Sequence, residues 1–154
     1  MKTKEVTTMH KIIRHDSSNL STDVIQLINL HMKDQNLSEL KNTLEHGLKL
    51  NSVILLSLWE GQEVIGFCYG NISIGLESKG SYFWINEFFI KTPYRHQGNG
   101  RLLMNHLKQI LQENKINYMA LVTKTLNEQA IAFYQREGFH QRDYLWFDFT
   151  QRIR

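Results

Sequence analysis

The segment from Tyr82 to Ile90 constrains the fold of this chain more than any other part of its sequence. Aromatic and branched residues fill both alternating positions of the segment, as expected for a β-strand that is covered on both faces. After a short loop, apolar residues recur at helical spacing, and Tyr118–Val122 then has the composition of another strand. The helical positions are Leu102, Leu103, His106, Leu107, Ile110 and Leu111. Such a strand, helix and strand usually form a right-handed crossover. We therefore predict a central strand at Tyr82–Ile90 and a parallel strand at Tyr118–Val122.

Hydrophobic periodicity divides the preceding part of the chain into short helices and strands. The predicted elements are a strand at Lys11–Arg14, a helix capped by Ser21 and Thr22 that reaches Met32, a helix on Leu37, Leu40, Leu44 and Leu48, and strands at Val53–Trp59 and Val64–Ile72. The segment Glu60-Gly61-Gln62-Glu63 between the last two strands has the composition of a tight turn. It predicts an antiparallel hairpin.

The carboxyl-terminal part predicts one more helix and a closing pair of strands. Thr125 and Glu128 have the spacing of a capping box, and Gly138 offers a helix end. The residues from Phe139 to Thr150 predict the strand pair. With a single proline, Pro93, and no internal repeat, nothing marks a domain boundary. We expect one domain over residues 1–154, of the α/β (α+β) class, with a mixed, mostly antiparallel sheet and helices on both faces.

Composition narrows the function classes. The net charge is +3 and the pI is about 9.0, without a run of five or six like charges that would mark a nucleic-acid arm. No apolar run approaches the ~20 residues that span a membrane, and Met1–Thr8 does not resemble a secretory signal. The single cysteine, Cys68, lies in an apolar run and suits a reducing compartment. We expect a cytoplasmic protein without nucleic-acid or membrane partners.

The most informative motif is the loop from Tyr94 to Arg101, between the central strand and the amphipathic helix. Gly98 and Gly100 allow close approach of the backbone to a ligand, and the following helix offers unpaired amides to an anion. Arg95 and Arg101 add charge for phosphate oxygens. The loop therefore predicts a pyrophosphate site, although a short glycine loop before a helix is also common as simple turn chemistry.

The order of Arg-x-x-Gly-x-Gly, a helix, a strand and Asn-x-x-Ala-x-x-x-Tyr resembles the GNAT superfamily of acetyl-coenzyme A-dependent N-acetyltransferases, from about Trp84 to Phe139. The resemblance implies acetyl-CoA as co-substrate and an amine as acceptor. It implies that the pyrophosphate is held by Arg95, His96, Gln97, Gly98, Asn99, Gly100 and Arg101, and that the pantetheine arm pairs with Phe88, Phe89 and Ile90.

Three residues of the last predicted helix complete the site that the resemblance implies. Asn127 would contact the pantetheine or its neighbouring backbone, Ala130 belongs to the same cofactor motif, and the Tyr134 hydroxyl would protonate the departing thiolate. Other roles stay open, because Asn127 also suits a helix cap or turn and Tyr134 also suits a core aromatic with a solvated edge.

Acetyl transfer needs a neutral amine, and an alkylamine has a pKa of about 10, so a base or a water chain must remove its proton. Glu87 interrupts the apolar strand and is our candidate base. The alternative is a buried carboxylate that pairs with an arginine or with backbone amides. The strand is similar to the Glu-Asp-hydrophobic pattern of polyamine acetyltransferases, except that Asn86 replaces the first acid. Because successive strand residues face opposite sides, Glu87 is not expected to face the cavity that an acid at position 86 would address.

We predict direct attack of the amine on the thioester, with the oxyanion held by a backbone amide near Phe88 or Phe89. His96 and His106 are interpreted as packing or cofactor contacts rather than bases. No closely spaced set of His, Cys, Asp or Glu side chains has the form of a metal site, so no metal is expected. Cys68 is interpreted as a packing residue.

The acceptor and the assembly stay open at this stage. Candidate acceptor residues are Glu45, Glu77, Tyr82 and Trp84, and a small amine, an aminoglycoside and a protein amino group all remain possible. Transfer of a longer acyl group and a non-catalytic acyl-CoA sensor are the alternative functions. The aromatic residues Tyr144, Trp146, Phe147 and Phe149 would either pack in the core or leave an apolar area for a homodimer.

Overall fold

A computed structural model describes residues 9–33 and 36–151 of the chain. Met1–Thr8, where no secretory signal is predicted, lies outside the described residues. The chain divides into two compact units, Met1–Val122 and Thr123–Arg154. The first unit contains β1 His10–Arg14, α1 Thr22–Met32, α2 Leu37–Leu48, β2 Val53–Glu60, β3 Glu63–Gly75, β4 Gly80–Ile90, a 3₁₀ turn at Thr92–Tyr94, α3 Asn99–Glu113 and β5 Met119–Ala120. The second unit contains α4 Glu128–Arg136.

The strands form one sheet in the order β1-β2-β3-β4-β5. The first four strands are antiparallel to their neighbours, and β5 is parallel to β4. The predicted parallel pairing of the central strand with the strand after α3 and the predicted fold class are therefore confirmed. In the β2–β3 hairpin, Glu60 lies opposite Glu63, and Gly61 adopts the φ of +60° that the tight turn requires. The hairpin prediction is confirmed as well.

Helices α1 and α2 cover one face of the sheet. Their apolar residues pack with Leu55 of β2 and with Val64 and Phe67 of β3. The buried cluster comprises Val24, Ile25, Leu27, Ile28, Leu44, Leu55, Val64 and Phe67. Ser21 caps α1 as predicted, since its hydroxyl accepts from the Val24 amide, and Asn36 caps α2. Helix α3 contacts β2, β3 and β4 with a separate set of buried residues, including Leu103, Met104 and Leu107, so it covers the other face.

A buried polar network ties β1 to the middle of β2. His15 is 6% exposed, and its Nε2 lies 2.7 Å from the Oγ of fully buried Ser57. Trp59 Nε1 donates to the same Oγ at 2.7 Å, and His15 Nδ1 lies 3.1 Å from Asn19 Oδ1. A neutral imidazole fits this pattern, because Nδ1–H can donate to Asn19 while Nε2 accepts the Ser57 hydroxyl proton. Burial lowers the pKa of His15 below its ordinary value.

The lowered pKa of His15 predicts a pH-dependent contribution to stability. Because the unfolded chain binds this proton at about pH 6.5 and the folded chain binds it only at lower pH, the contribution is complete above pH 6.5 and declines as the pH falls below it. At pH 7.5, His15→Leu should lower the free energy of unfolding by about 1–3 kcal/mol, because the buried Ser57 hydroxyl loses its acceptor. Urea denaturation at pH 7.5 and 5.5 should show a smaller gap between wild type and variant at pH 5.5. An equal gap at both pH values would contradict this account.

Two predictions for the carboxyl-terminal part are wrong. The residues from Phe139 to Thr150 form neither strand, because β-propensity produces a strand only where a neighbouring backbone pairs with it, and no described residue does so. Tyr144, Phe147 and Phe149 lie in this irregular segment and are more than four-fifths exposed, and Trp146 is 69% exposed. Helix α4 is capped by Asn127 rather than Thr125, since Asn127 Oδ1 accepts from the Ala130 amide.

Candidate active site

Strand β4 has strand partners of very different length on its two edges. On one edge, β3 pairs with it as far as Gly66 opposite Ile90. On the other edge, the ladder with β5 joins only Phe83 to Met119 and Trp84 to Ala120. Within the described part of the chain, no strand is paired to that edge of β4 from Ile85 to Ile90. An extended ligand could run alongside this stretch, which contains the predicted pantetheine positions Phe88, Phe89 and Ile90.

A β-bulge in β4 determines which face of the sheet the candidate base, Glu87, lies on. Tyr69 of β3 lies opposite Glu87, whereas the next residue, Gly70, lies opposite Ile85, so Asn86 is the extra residue. Gly70 is required here, because a Cβ at this position would lie 2.3 Å from the Trp84 carbonyl oxygen. A bulge therefore interrupts the simple alternation that we used for positions 86 and 87. By register with Tyr69, Glu87 faces the side of α1 and α2.

Glu87 is paired with a histidine that the sequence did not single out. Glu87 Oε2 lies 2.7 Å from Nε2 of His31, in the last turn of α1, and the two side chains are 32% and 26% exposed. The imidazole lies 4.6 Å from the Phe89 ring and 5.6 Å from the Phe67 ring, centroid to centroid. The alternative interpretation of Glu87 is a carboxylate paired with an arginine or with backbone amides. Its side-chain partner in the structure is His31 rather than an arginine. One sequence signal could have pointed to His31. It lies seven residues after Val24 and four after Leu27, so it continues the apolar stripe of α1.

The segment after β4 is fixed to the strand by its own polar side chains. Arg95 Nε donates to the Ile90 carbonyl at 2.8 Å, and its guanidinium lies 5.5 Å above the Phe89 ring. Buried Asn99 donates through Nδ2 to the Tyr94 carbonyl at 2.9 Å, and Gln97 donates to the Pro93 carbonyl at 2.8 Å. These bonds orient the loop between β4 and α3 without using the amides at the start of the helix.

The amino-terminal end of α3 has the form of an anion site. Gly98 is the N-cap with a φ of +83°, and His96, two residues earlier, also has a positive φ, of +60°. The first turn has no acidic residue and no side-chain cap. Leu102 donates to the Gly98 carbonyl, so the amides of Asn99 and Gly100 have no acceptor within the helix. A Cβ at Gly98 would meet open space, so glycine is required there by its φ rather than by crowding.

The remaining predicted residues lie in the second unit, which is described here by itself. Asn127 caps α4, because its side-chain oxygen accepts a hydrogen bond from the Ala130 amide. The Tyr134 ring is half-buried and lies 5.3 Å from the Phe133 ring and 5.4 Å from the Phe139 ring. Tyr134 also takes part in at least one further polar or ring interaction. The roles of Asn127, Ala130 and Tyr134 toward a coenzyme stay predictions.

The other candidate groups have more ordinary surroundings. Cys68 is fully buried in β3, and burial raises the pKa of its thiol, which keeps it protonated. His106 is half-buried on α3. In the described ranges, no three His, Cys, Asp or Glu side chains are grouped so that they could hold a metal ion. No helix in those ranges is long and apolar enough to cross a membrane.

Comparison with known proteins identifies the family. Residues 24–139 match the Acetyltransferase (GNAT) family. One similar solved structure is the aminoglycoside acetyltransferase meta-AAC0020 from an uncultured soil metagenomic sample, crystallised with trehalose, with 18% identity, 93% and 97% of the two chains covered and a TM-score of 0.82. Another is the aminoglycoside N-acetyltransferase AAC(6')-Iy in complex with CoA, with 14% identity, 94% and 96% covered and a TM-score of 0.83. A third is a possible acetyltransferase from Clostridium difficile 630, with 18% identity, 94% and 99% covered and a TM-score of 0.76.

The match extends over more than half of the chain, so the protein belongs to the GNAT family of acetyltransferases. The predicted family and enzyme class are confirmed. The three solved structures share less than a quarter of their residues with this chain and establish the fold alone.

Proposed function

We propose that the protein transfers the acetyl group of acetyl-CoA to a primary amine of a small molecule by direct attack. The observation that carries the proposal is the arrangement along β4. The strand holds Glu87 on its α1 side and has a stretch without β5 pairing. It continues through Arg95 into the start of α3, where the amides of Asn99 and Gly100 have no acceptor within the helix. A base, an edge for an extended arm and an anion site therefore follow one another over about a dozen residues.

The coenzyme would bind with its pyrophosphate at the start of α3. The amides of Asn99 and Gly100, the helix dipole and the guanidinium groups of Arg95 and Arg101 together favour a doubly charged group. Arg95 uses Nε for the Ile90 carbonyl and keeps its Nη donors for the ligand. A GNAT relative of the same fold was crystallised with CoA, which supports this choice of co-substrate.

The chemical step would begin with removal of a proton from the acceptor ammonium by Glu87. The N–H bond breaks, the O–H bond of the carboxylic acid forms, and the amine lone pair then attacks the thioester carbonyl. A backbone amide near Phe88 or Phe89 would hold the oxyanion. As the tetrahedral intermediate collapses, the C–S bond breaks and the attacking nitrogen loses its second proton to water. The Tyr134 hydroxyl would give its proton to the thiolate. No acyl-enzyme is required.

The acceptor would bind on the side of β4 that faces α1 and α2. By register, Trp84 faces the same side as Glu87, opposite Asn71, whose side chain donates to Ser73. Two relatives of the same fold are named as aminoglycoside acetyltransferases, which favours a small, hydroxylated amine over a protein amino group. We also propose that the reaction takes place in the cytoplasm, where acetyl-CoA is available.

Turnover with defined amines tests the proposal. Purified protein is incubated with acetyl-CoA and, separately, sisomicin, spermidine, benzylamine and a lysine peptide, and thiol release is followed while mass spectrometry detects one added acetyl group. We expect acceptor-dependent release with at least one small amine. Acetyl-CoA binding without turnover would support a non-catalytic acyl-CoA sensor instead. Faster reaction with a longer acyl-CoA would support an enzyme that transfers a longer acyl group. Absence of acetyl-CoA binding by calorimetry would overturn the proposal.

A further inference from the structure

We propose that His31 is a positioning residue that holds Glu87 in its proton-accepting geometry, a role that rests on the proposed function of Glu87. The two side chains come from elements far apart in sequence, the last turn of α1 and the bulged part of β4. They meet at 2.7 Å between His31 Nε2 and Glu87 Oε2. Neither is fully buried, so an acceptor amine can approach the pair from solvent.

The contact determines which carboxylate oxygen reacts. An ionised carboxylate only accepts hydrogen bonds, so the proton in the contact belongs to His31 Nε2, which donates to Oε2. Glu87 Oε1 has no partner among the described residues and is the oxygen that can take the ammonium proton. After Oε1 is protonated, Oε2 is the carbonyl oxygen of the acid and still accepts from His31. The hydrogen bond therefore persists through the proton transfer.

The imidazole is itself held in place by packing. Its ring lies against Phe89 and Phe67, two residues that face each other on β4 and β3. Helix α1 is anchored beneath it by Val24 and Leu27, which are at most 3% exposed. A donor on such a support fixes the rotamer of the glutamate, and a loss of about 1 Å in the placement of a catalytic group can cost about 100-fold in rate.

A purely structural role of His31 would rest on the ring contacts instead of the hydrogen bond. Two substitutions separate these roles. His31→Phe keeps an aromatic ring against Phe67 and Phe89 but has no donor. His31→Gln has no ring but places an amide N–H near the position of Nε2. His46→Phe is the matched control, because His46 is an exposed histidine in the last turn of α2.

Kinetics with an amine that wild type acetylates then test the role. We expect kcat of His31→Phe to fall about 10- to 100-fold, while its Tm and its Kd for acetyl-CoA stay near the wild-type values. His31→Gln should recover most of the lost kcat, and His46→Phe should match wild type. In a Glu87→Gln background, His31→Phe should cause no further loss. Full activity of His31→Phe, or an equal additional loss in the Glu87→Gln background, would overturn the role.

Nuclear magnetic resonance of the protein without substrate gives a readout that does not depend on activity. In wild type labelled with ¹⁵N-histidine, we expect a cross-peak of the His31 Nε2 proton, protected from exchange by Glu87 and assigned by its loss in His31→Phe. The peak should also disappear in Glu87→Ala. If the peak is present but no amine is acetylated, the proposed function fails while the contact stands. If acetylation occurs but the peak is absent or survives in Glu87→Ala, the positioning role fails alone.

Discussion

Charge reversal at Arg101 should weaken acetyl-CoA binding by about 100-fold. Arg101 is exposed in the first turn of α3, beside the amides of Asn99 and Gly100. Loss of a charge-assisted hydrogen bond costs about 1.5–3 kcal/mol, and the new carboxylate adds repulsion of the pyrophosphate. A thermal melt first checks that Arg101→Glu is folded at the temperature of the titration. Isothermal titration with acetyl-CoA then measures the loss of affinity.

Lys11→Glu is the matched control for this variant. It makes the same change of net charge at an exposed position of β1, three strands from β4, a distance of about 14 Å across the sheet. At physiological ionic strength, charges this far apart are largely screened. Lys11→Glu should therefore bind acetyl-CoA like wild type. Equal weakening in both variants would mean a general electrostatic effect, and unchanged binding in Arg101→Glu would place the pyrophosphate elsewhere.

The elements that the sequence predicts well are those whose structure is decided locally. The helices at Thr22–Met32 and Leu37–Leu48 follow from an apolar stripe and an adjacent cap, and the β2–β3 hairpin follows from the turn residues between two strands. The glycine turn that begins α3 is predictable for the same reason, since contiguous residues form both the loop and the start of the helix. The Phe139–Thr150 segment was mispredicted because strand propensity says nothing about the presence of a partner.

The details of the candidate site depend on contacts between distant segments. The bulge at Asn86 comes from the register of β4 against β3, in which Gly70 admits the Trp84 carbonyl. No pattern within Tyr82–Ile90 contains that information, and a bulge reverses the facing of every residue beyond it. The partner of Glu87 lies 56 positions away in sequence, at His31. The sequence supplied the candidate base, but the direction and partner of that base required the fold.

Glu87→Gln should lower kcat for amine acetylation by about 10²- to 10⁴-fold at neutral pH, because an amide cannot take the proton of the acceptor ammonium. The substitution keeps the shape of the side chain and an oxygen that accepts from His31, so the Tm and the affinity for acetyl-CoA should change little. Stopped-time assays measure the effect. Glu113→Gln is the matched control, because Glu113 is an exposed carboxylate at the end of α3.

The pH dependence of the Glu87→Gln defect separates a base from a residue that only shapes the site. A primary amine has a pKa of about 10, so near neutral pH almost all of the acceptor is protonated and needs a base. As the pH rises toward 10, the neutral amine becomes abundant in solution and the base becomes unnecessary. The ratio of wild-type to variant kcat/KM should therefore shrink steadily between pH 7 and pH 10. A ratio that stays constant over this range would mean that Glu87 orients the acceptor, and a ratio near one at pH 7 would assign proton removal to a water chain.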